Sequence, residues 1–192
     1  MQFMKLINTV FFTSLVGISG CANHDISHPT GNHLEPQMIE KVTYPTGETV
    51  RRWVDTKYPY HLLTDVHFYN KKIIYSLPIS NETLIDTHRM MIDYANDYEG
   101  TFKITPNINV DTVVISSAIT NIEMKQGFFG LYPSVTFETE AFDGGSHVAF
   151  ARVVQTLEGK TLVNEERPTI KHLAPAIRDW SRGIHAFLRT ID

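Results

Sequence analysis

The chain has 192 residues, with 17 Lys and Arg against 21 Asp and Glu, a formal charge of −4. So mild an acidic balance gives no basic face for nucleic acid and no electrostatic pull toward anionic lipid. A hydrophobic share of 42% can fill a core, and the single cysteine, Cys21, excludes an intramolecular disulfide, so stability must come from packing.

The chain starts with one basic residue, Lys5, and an apolar run from Leu6 to Val16. Ile18-Ser19-Gly20-Cys21 follows, and then the composition turns polar at Ala22-Asn23-His24-Asp25. This is the pattern of a secretory signal ending in small residues. A spanning helix is the competing reading, but Asn8, Thr9, Thr13 and Ser14 interrupt the run, which falls short of the ~20 apolar residues required. An aliphatic residue, two small residues and Cys resemble the lipobox of bacterial lipoproteins. That resemblance implies cleavage between Gly20 and Cys21, a diacylglycerol on the Cys21 thiol and an acyl chain on the new amine. Ala22, where an Asp would signal retention, implies the periplasmic face of the outer membrane. The predicted divisions are a signal (1–20), a flexible tether (21–42) and one globular domain (43–192).

In the tether, Pro29, Gly31, Pro36 and few large apolar residues argue against regular structure. His24, His28 and His33 fit no tight ligand spacing. Residues 43–70 are aromatic and irregular, broken by Pro45, Gly47 and Pro59. Arg51-Arg52-Trp53 and Tyr58-Pro59-Tyr60-His61 carry rings beside arginine, which protein interfaces favour. Arg52, Trp53, Tyr58 and Tyr60 are therefore candidate partner-binding residues, against the alternative that they pad the sheet.

Lys72 to Leu77 predicts a strand ended by Pro78. Ser80 or Asn81 then caps a helix with Glu82 in its first turn. Its apolar stripe is Leu84, His88, Met91, Ala95 and Tyr98, flanked by Ile85 and Ile92, and Gly100 stops it. Thr101–Thr105 predicts a short strand. Thr112–Thr120, β-branched and apolar nearly throughout, predicts a central strand covered on both faces. Gln126–Pro133 reads as a loop with apolar side chains, making Phe128 and Phe129 a second candidate contact surface.

Ser134–Phe142 alternates, with Val135, Phe137, Thr139 and Ala141 on one face and Ser134, Thr136, Glu138 and Glu140 on a solvated one. Asp143-Gly144-Gly145 supplies turn residues that tolerate positive φ, and His147–Leu157 returns with Val148, Phe150 and Val154 inward. Arg152 is positioned to form an exposed pair with Glu138 or Glu140. Thr161–Val163 could add a short strand. Leu173, Ile177, Trp180, Ile184, Phe187 and Ile191 define a closing helix across the sheet, with Pro175 near its first position. The fold class is α/β of the α+β kind: a mixed or mainly antiparallel sheet, a β-hairpin and two principal helices.

From Asp111 onward the chain resembles a family of small Gram-negative lipoproteins of unknown function. Asp111-Thr112-Val113-Val114, Ala118-Ile119-Thr120, Ala149 to Val154 and Asp179-Trp180-Ser181 carry the resemblance. The element order is also similar to the α/β domains of penicillin-binding-protein activators and the amino-terminal domain of TolB. These resemblances imply a protein that binds partners and catalyses nothing. The sequence contains no Gly-rich phosphate loop with a Lys, no His-Glu-x-x-His and no Gly-x-Ser-x-Gly. His61, Asp65 and His67 could bind zinc but lack a closing partner. The expected function is that of a lipid-anchored envelope adaptor with no cofactor. Its expected partners are the membrane, through the lipid, and an envelope protein. A small-ligand or lipid-binding accessory of a transport system and a weak metal-dependent hydrolase are the alternatives.

Overall fold

The computed structural model describes residues 40–70, 78–163 and 167–191. Among these, seven strands form one sheet: β1 (Glu40–Thr43), β2 (Thr49–Val54), β3 (Asp65–Asn70), β4 (Lys103–Ile104), β5 (Thr112–Gly127), β6 (Gly130–Asp143) and β7 (Ala149–Glu158). Their order is β1-β2-β7-β6-β5-β3-β4. β3 runs parallel to β4 and β5, and all other pairs are antiparallel. Helices α1 (Asn81–Asn96) and α2 (Ile170–Leu188) pack on the sheet. The chain is thus an α+β protein with a mixed sheet and two helices.

The core lies between the helices and one sheet face. β5 contributes Val113, Ile115 and Ile119, and β6 contributes Val135, Phe137 and Ala141, all at 1% exposure or less. A bulge between Ile119 and Asn121 adds one residue to β5. The extra residue restores the alternation, so that Ile122 again points inward, opposite Val135. A second bulge, at Ala141/Phe142, leaves Phe150 as the extra residue of β7. Beyond it Ala151, Val153 and Gln155 face the core. The inward set is therefore one residue off the predicted Val148, Phe150 and Val154: Val148 is exposed, and Phe150 is buried only as the bulged residue.

The stripe predicted for α2 is buried throughout, and each such side chain contributes roughly 1.5–3 kcal/mol. Trp180 stacks on Phe137 at 5.7 Å between ring centroids, and its Nε1 donates to Thr139 Oγ1 at 3.1 Å. Gly183 lets α2 approach β7, since a Cβ there would fall 2.2 Å from Gln155 Nε2. The helix begins five residues before Pro175, at Ile170. Thr169 is its N-cap, and Nδ1 of His172 accepts from the Thr169 N–H at 3.1 Å. A capping box, not the proline, sets the start.

In α1, Ser80 is the N-cap, accepting from the Thr83 N–H at 3.1 Å. The buried residues are Thr83, Thr87, Met91 and Ala95, whereas Ile85 is exposed and Leu84 and His88 only half-buried. Met91, Ala95 and, past the helix, Tyr98 are buried as the stripe predicts, whereas the first two turns face the core through Thr83 and Thr87 in place of Leu84 and His88, and the helix ends at Asn96, four residues before Gly100. α2 is tied to it by Ser181 Oγ donating to the Tyr94 carbonyl at 2.8 Å and His185 Nε2 donating to the Ala95 carbonyl at 3.0 Å.

Three strands come from regions read as tether or irregular: β1, which starts at Glu40, β2 and β3. The predicted strand at 72–77 lies outside the described residues. Residues 161–163 form no strand, although the Leu162 N–H donates to the Leu131 carbonyl at 2.7 Å. Gln126–Pro133 is no loop either: β5 and β6 pair as far as Gly127 and Gly130, leaving a two-residue turn. Gly130 sits at φ +128°, which its lack of a Cβ allows.

The buried indole N–H depends on Thr139 for its acceptor. Thr139→Val should cost about 1–3 kcal/mol in urea unfolding, and adding Trp180→Phe should recover part of that loss.

Candidate functional site

The six candidate contact residues fall at three separate places. Arg52 lies on the helix side of β2. Its Nε donates to Glu40 at 3.2 Å, its guanidinium donates to Thr190 Oγ1 at 3.2 Å, and it stands over the Tyr44 ring at 5.5 Å. The arginine thus joins β1, β2 and the end of α2. Trp53, next along β2, faces the other side of the sheet and is half-buried.

Tyr58 and Tyr60 lie at the end of the sheet where β2 and β6 finish. Both stack on Phe150, at 5.0 Å and 6.1 Å between centroids. The Tyr58 hydroxyl donates a very short hydrogen bond to Asp143 Oδ2. Asp143 Oδ1 accepts from the N–H groups of Gly145 at 2.6 Å and Ser146 at 3.1 Å. The β6–β7 turn is therefore held by this carboxylate. His147, at φ 57°, takes the left-handed conformation expected of the glycines.

Partial burial disfavours the Asp143 anion. The bonds from Tyr58, Ser146 and Gly145 outweigh that, and its pKa is lowered. Burial and the same carboxylate raise the pKa of Tyr58. A cleft of about 300 Å³ opens beside this pair, lined by Tyr58, Pro59, Leu62, Leu63, Val110 and Asp111 as well as Asp143. On its rim Leu62 and Val110 are 65% and 77% exposed. These two apolar residues, outside the six candidates, are the most exposed apolar side chains at this end, ahead of Ile108 at 47% and Val148 at 40%. Their signal is weak: Val110 is one aliphatic residue in a polar loop, and Leu62 stands beside the buried Leu63 with nothing in the sequence to tell the two apart.

Phe128 and Phe129 occupy the opposite end of the sheet, 95% and 85% exposed and packed edge to face at 5.0 Å. The aromatic stretch and the hairpin tip are thus two surfaces, not one.

The sheet face away from the helices is not solvated as expected. Glu140 is 1% exposed and Ser116 3%. Arg152 Nη2 donates to Glu138 Oε2 at 2.6 Å, with side-chain exposures of 12% and 22%, so the pair is largely buried.

His67 and Asp65 share that face, as expected, with Val66 opposite. His67 Nδ1 is 2.9 Å from the Thr105 carbonyl and therefore donates to it, while His61 is exposed on a short 3-10 turn, Tyr60–Leu62. Among the described residues no three His, Cys, Asp or Glu side chains converge as a metal site. An open groove of about 440 Å³ runs between β3 and α1, past Phe68, Asn70, His88 and Arg89. The sheet–helix interior itself is filled by Trp180, Phe137, Met91 and their neighbours. Cys21 and Gly20 lie outside the described residues.

No family model and no curated protein matches the chain. Solved structures similar to it include a dodecamer of a PelC variant from Paraburkholderia phytofirmans, with 14% identity and a TM-score of 0.42 over 71% of this chain and 96% of that one. A second PelC dodecamer from the same organism is similar at 12% identity and a TM-score of 0.39, covering 77% and 96%. A hypothetical protein from Chlamydia trachomatis is similar at 9% identity and a TM-score of 0.45, covering 66% and 99%.

Two titrations follow from these bonds. Tyr58→Phe removes one donor from Asp143, so its carboxyl pKa should rise toward the ordinary value in an NMR titration. Because the folded-state pKa lies below the unfolded one, Asp143 stabilises the fold above the unfolded pKa. That contribution is lost as pH falls through the folded value, and it should be smaller in Tyr58→Phe. His185 follows the same sign at higher pH. Burial lowers its pKa, outweighing its bond to Ala95, so urea stability should fall as pH drops below about 6.5. His185→Gln should flatten that slope, and a slope unchanged from wild type would place it elsewhere, such as His88, whose pKa burial also lowers.

Proposed function

We propose that the chain is a lipid-anchored envelope protein that works by contact rather than catalysis. The observation that carries this reading is Ile18-Ser19-Gly20-Cys21, at the end of an apolar signal and holding the only cysteine in the chain. The thiol would carry diacylglycerol. Each buried methylene contributes about 0.8 kcal/mol, and two or three acyl chains hold a protein to a bilayer nearly permanently. With Ala22 after the cysteine, the outer membrane is the favoured destination.

The partner surface in this reading is the sheet end built on Tyr58, Asp143 and Phe150. The stacked rings and the Asp143 bonds make it rigid, and it presents Leu62 and Val110 beside a cleft. Apolar residues on a preformed support, with a polar rim from Asp111, suit contact with another protein. Tyr60, stacked on Phe150, supports this arrangement from within.

Intact mass of the cell-derived protein should show loss of residues 1–20 and addition of acyl chains. Cys21→Ser should leave an uncleaved, unmodified chain, and a bare thiol on the wild type would overturn the anchor. For the contact surface, Leu62→Ser with Val110→Ser should abolish crosslinking to the envelope partner while leaving the urea midpoint nearly unchanged.

A further inference from the structure

We propose that the β5–β6 hairpin tip inserts into the surface of a lipid bilayer, with Phe128 and Phe129 as the inserting side chains. The proposal rests on the reading above only in placing a membrane beside the domain.

No other large apolar side chain among the described residues is as exposed as these two. They stand at the apex of the β5–β6 hairpin. Among the described residues, β3 pairs with β5 as far as Ser117 and β7 with β6 as far as Ser134; the hairpin continues for four more residue pairs, with residues 159–162 alongside β6, where the Gly159 and Leu162 N–H groups donate to the Pro133 and Leu131 carbonyls. The two-residue turn lies beyond all of these described pairings, so Phe128 and Phe129 are the side chains it presents to a lipid surface. Its backbone is prepared for that: Gly127 pairs with Gly130, and Gln126 Nε2 donates to the Gly127 carbonyl at 3.0 Å. Fewer backbone groups are left to be desolvated.

The residues behind the apex are graded. Leu131, 44% exposed, comes next, with Val163, 70% exposed, on the segment that bonds to it. Tyr132 and Lys125 form the following pair. Lys160 sits at about the same height, since its neighbours Gly159 and Leu162 bond to Pro133 and Leu131. Among the described residues the acids come last: Glu123 and Glu158 both pair with Ser134, four residues behind Gly130, or ~13 Å. Apolar tip, then Tyr and Lys, then acid is the order a protein takes through acyl chains, headgroups and water.

A protein partner fits this tip less well. A stable interface buries about 800 Å² on each side, whereas two Phe side chains offer roughly 300–500 Å². The anchor geometry is also compatible. The 19 steps from Cys21 to Glu40 reach at most ~65 Å extended. Glu40 lies level with Thr139 across the sheet, nine residues or ~30 Å behind the tip.

The test uses the mature chain from residue 21 with Cys21→Ser, so that no lipid is attached. It should co-sediment with mixed phosphatidylethanolamine–phosphatidylglycerol vesicles. Phe128→Ser with Phe129→Ser should weaken partitioning at least tenfold with an unchanged circular dichroism spectrum. In Phe128→Trp, vesicles should shift the emission to the blue and brominated lipid should quench it, changes that Trp53 and Trp180 alone would not give. Equal binding by the double serine variant, or a Phe128→Trp emission that vesicles leave unmoved, would overturn the proposal. So would self-association abolished by the serine pair, which would assign the tip to a second copy. Lipidation at Cys21 is read separately by mass, so either idea can fail alone.

Discussion

The contact between Trp180 and the middle of β6 determines where α2 lies, and α2 in turn positions α1. The indole stacks on Phe137 and donates to Thr139, whose hydroxyl is also 2.9 Å from Ser117 on β5. One aromatic side chain thus reads two adjacent strands at once. One turn later Gly183 removes the side chain that would hold the helix off Gln155. The polar atoms buried here leave little freedom. A helix sliding by one turn would strand the indole N–H without an acceptor, at about 1–3 kcal/mol. From α2, Ser181 and His185 then reach the Tyr94 and Ala95 carbonyls, which lie near the α1 C-terminus where the helix leaves carbonyls unbonded. The two helices are locked to each other by the carbonyls that end one of them.

Strand length decides what lies outside this core. β5 and β6 have 16 and 14 residues, while β3 has six and β4 two. Among the described residues, the long pair runs past the ends of β3 and β7 at one end. At the other end, the connections after β2 and β6 turn back on Phe150, and the rings of Tyr58 and Tyr60 close over it. The two ends differ in character because of this. One is a narrow projection with apolar residues on a tight turn, and the other is a broad support of stacked rings and a multiply bonded carboxylate.

Much of this was legible in the residues, and what was not has identifiable causes. The α2 stripe survives because all its apolar residues point to one side of a long helix. The β6 face survives because the strand alternates without interruption as far as Ala141. The β7 face was misplaced by one residue because a bulge is invisible to a period of two. The first two turns of α1 depart from the stripe because threonine counts as polar in one, yet Thr83 and Thr87 are buried, while Met91, Ala95 and Tyr98 follow it. β2 and β3 were hidden by their aromatic and charged residues and by nearby prolines and glycine. The aromatic stretch reads as unusual, but Arg52, Tyr58 and Tyr60 are turned to internal work, tying strands, α2 and Phe150 together. Phe128 and Phe129 read as apolar, while their place at an apex depends on β5 and β6 pairing as far as Gly127 and Gly130, a property of pairing and not of composition.

The two ends then bear on how an anchored domain would be presented. A single acyl chain holds only marginally, whereas two or three, as proposed at Cys21, fix the protein to the bilayer and leave its orientation free. A second attachment changes orientation far more than it changes residence. Once the chain is held, a tip contact becomes intramolecular, and even a weak one is populated at the high effective concentration of a short tether. With the tip at the lipid surface, β5, ~50 Å long at 16 residues, would stand away from the membrane. The Tyr58–Asp143 end would then be carried to the far side, clear of the headgroups. The hairpin projection and the rigid far end are in this sense one design: the first sets which way the sheet points, and the second is what it points at.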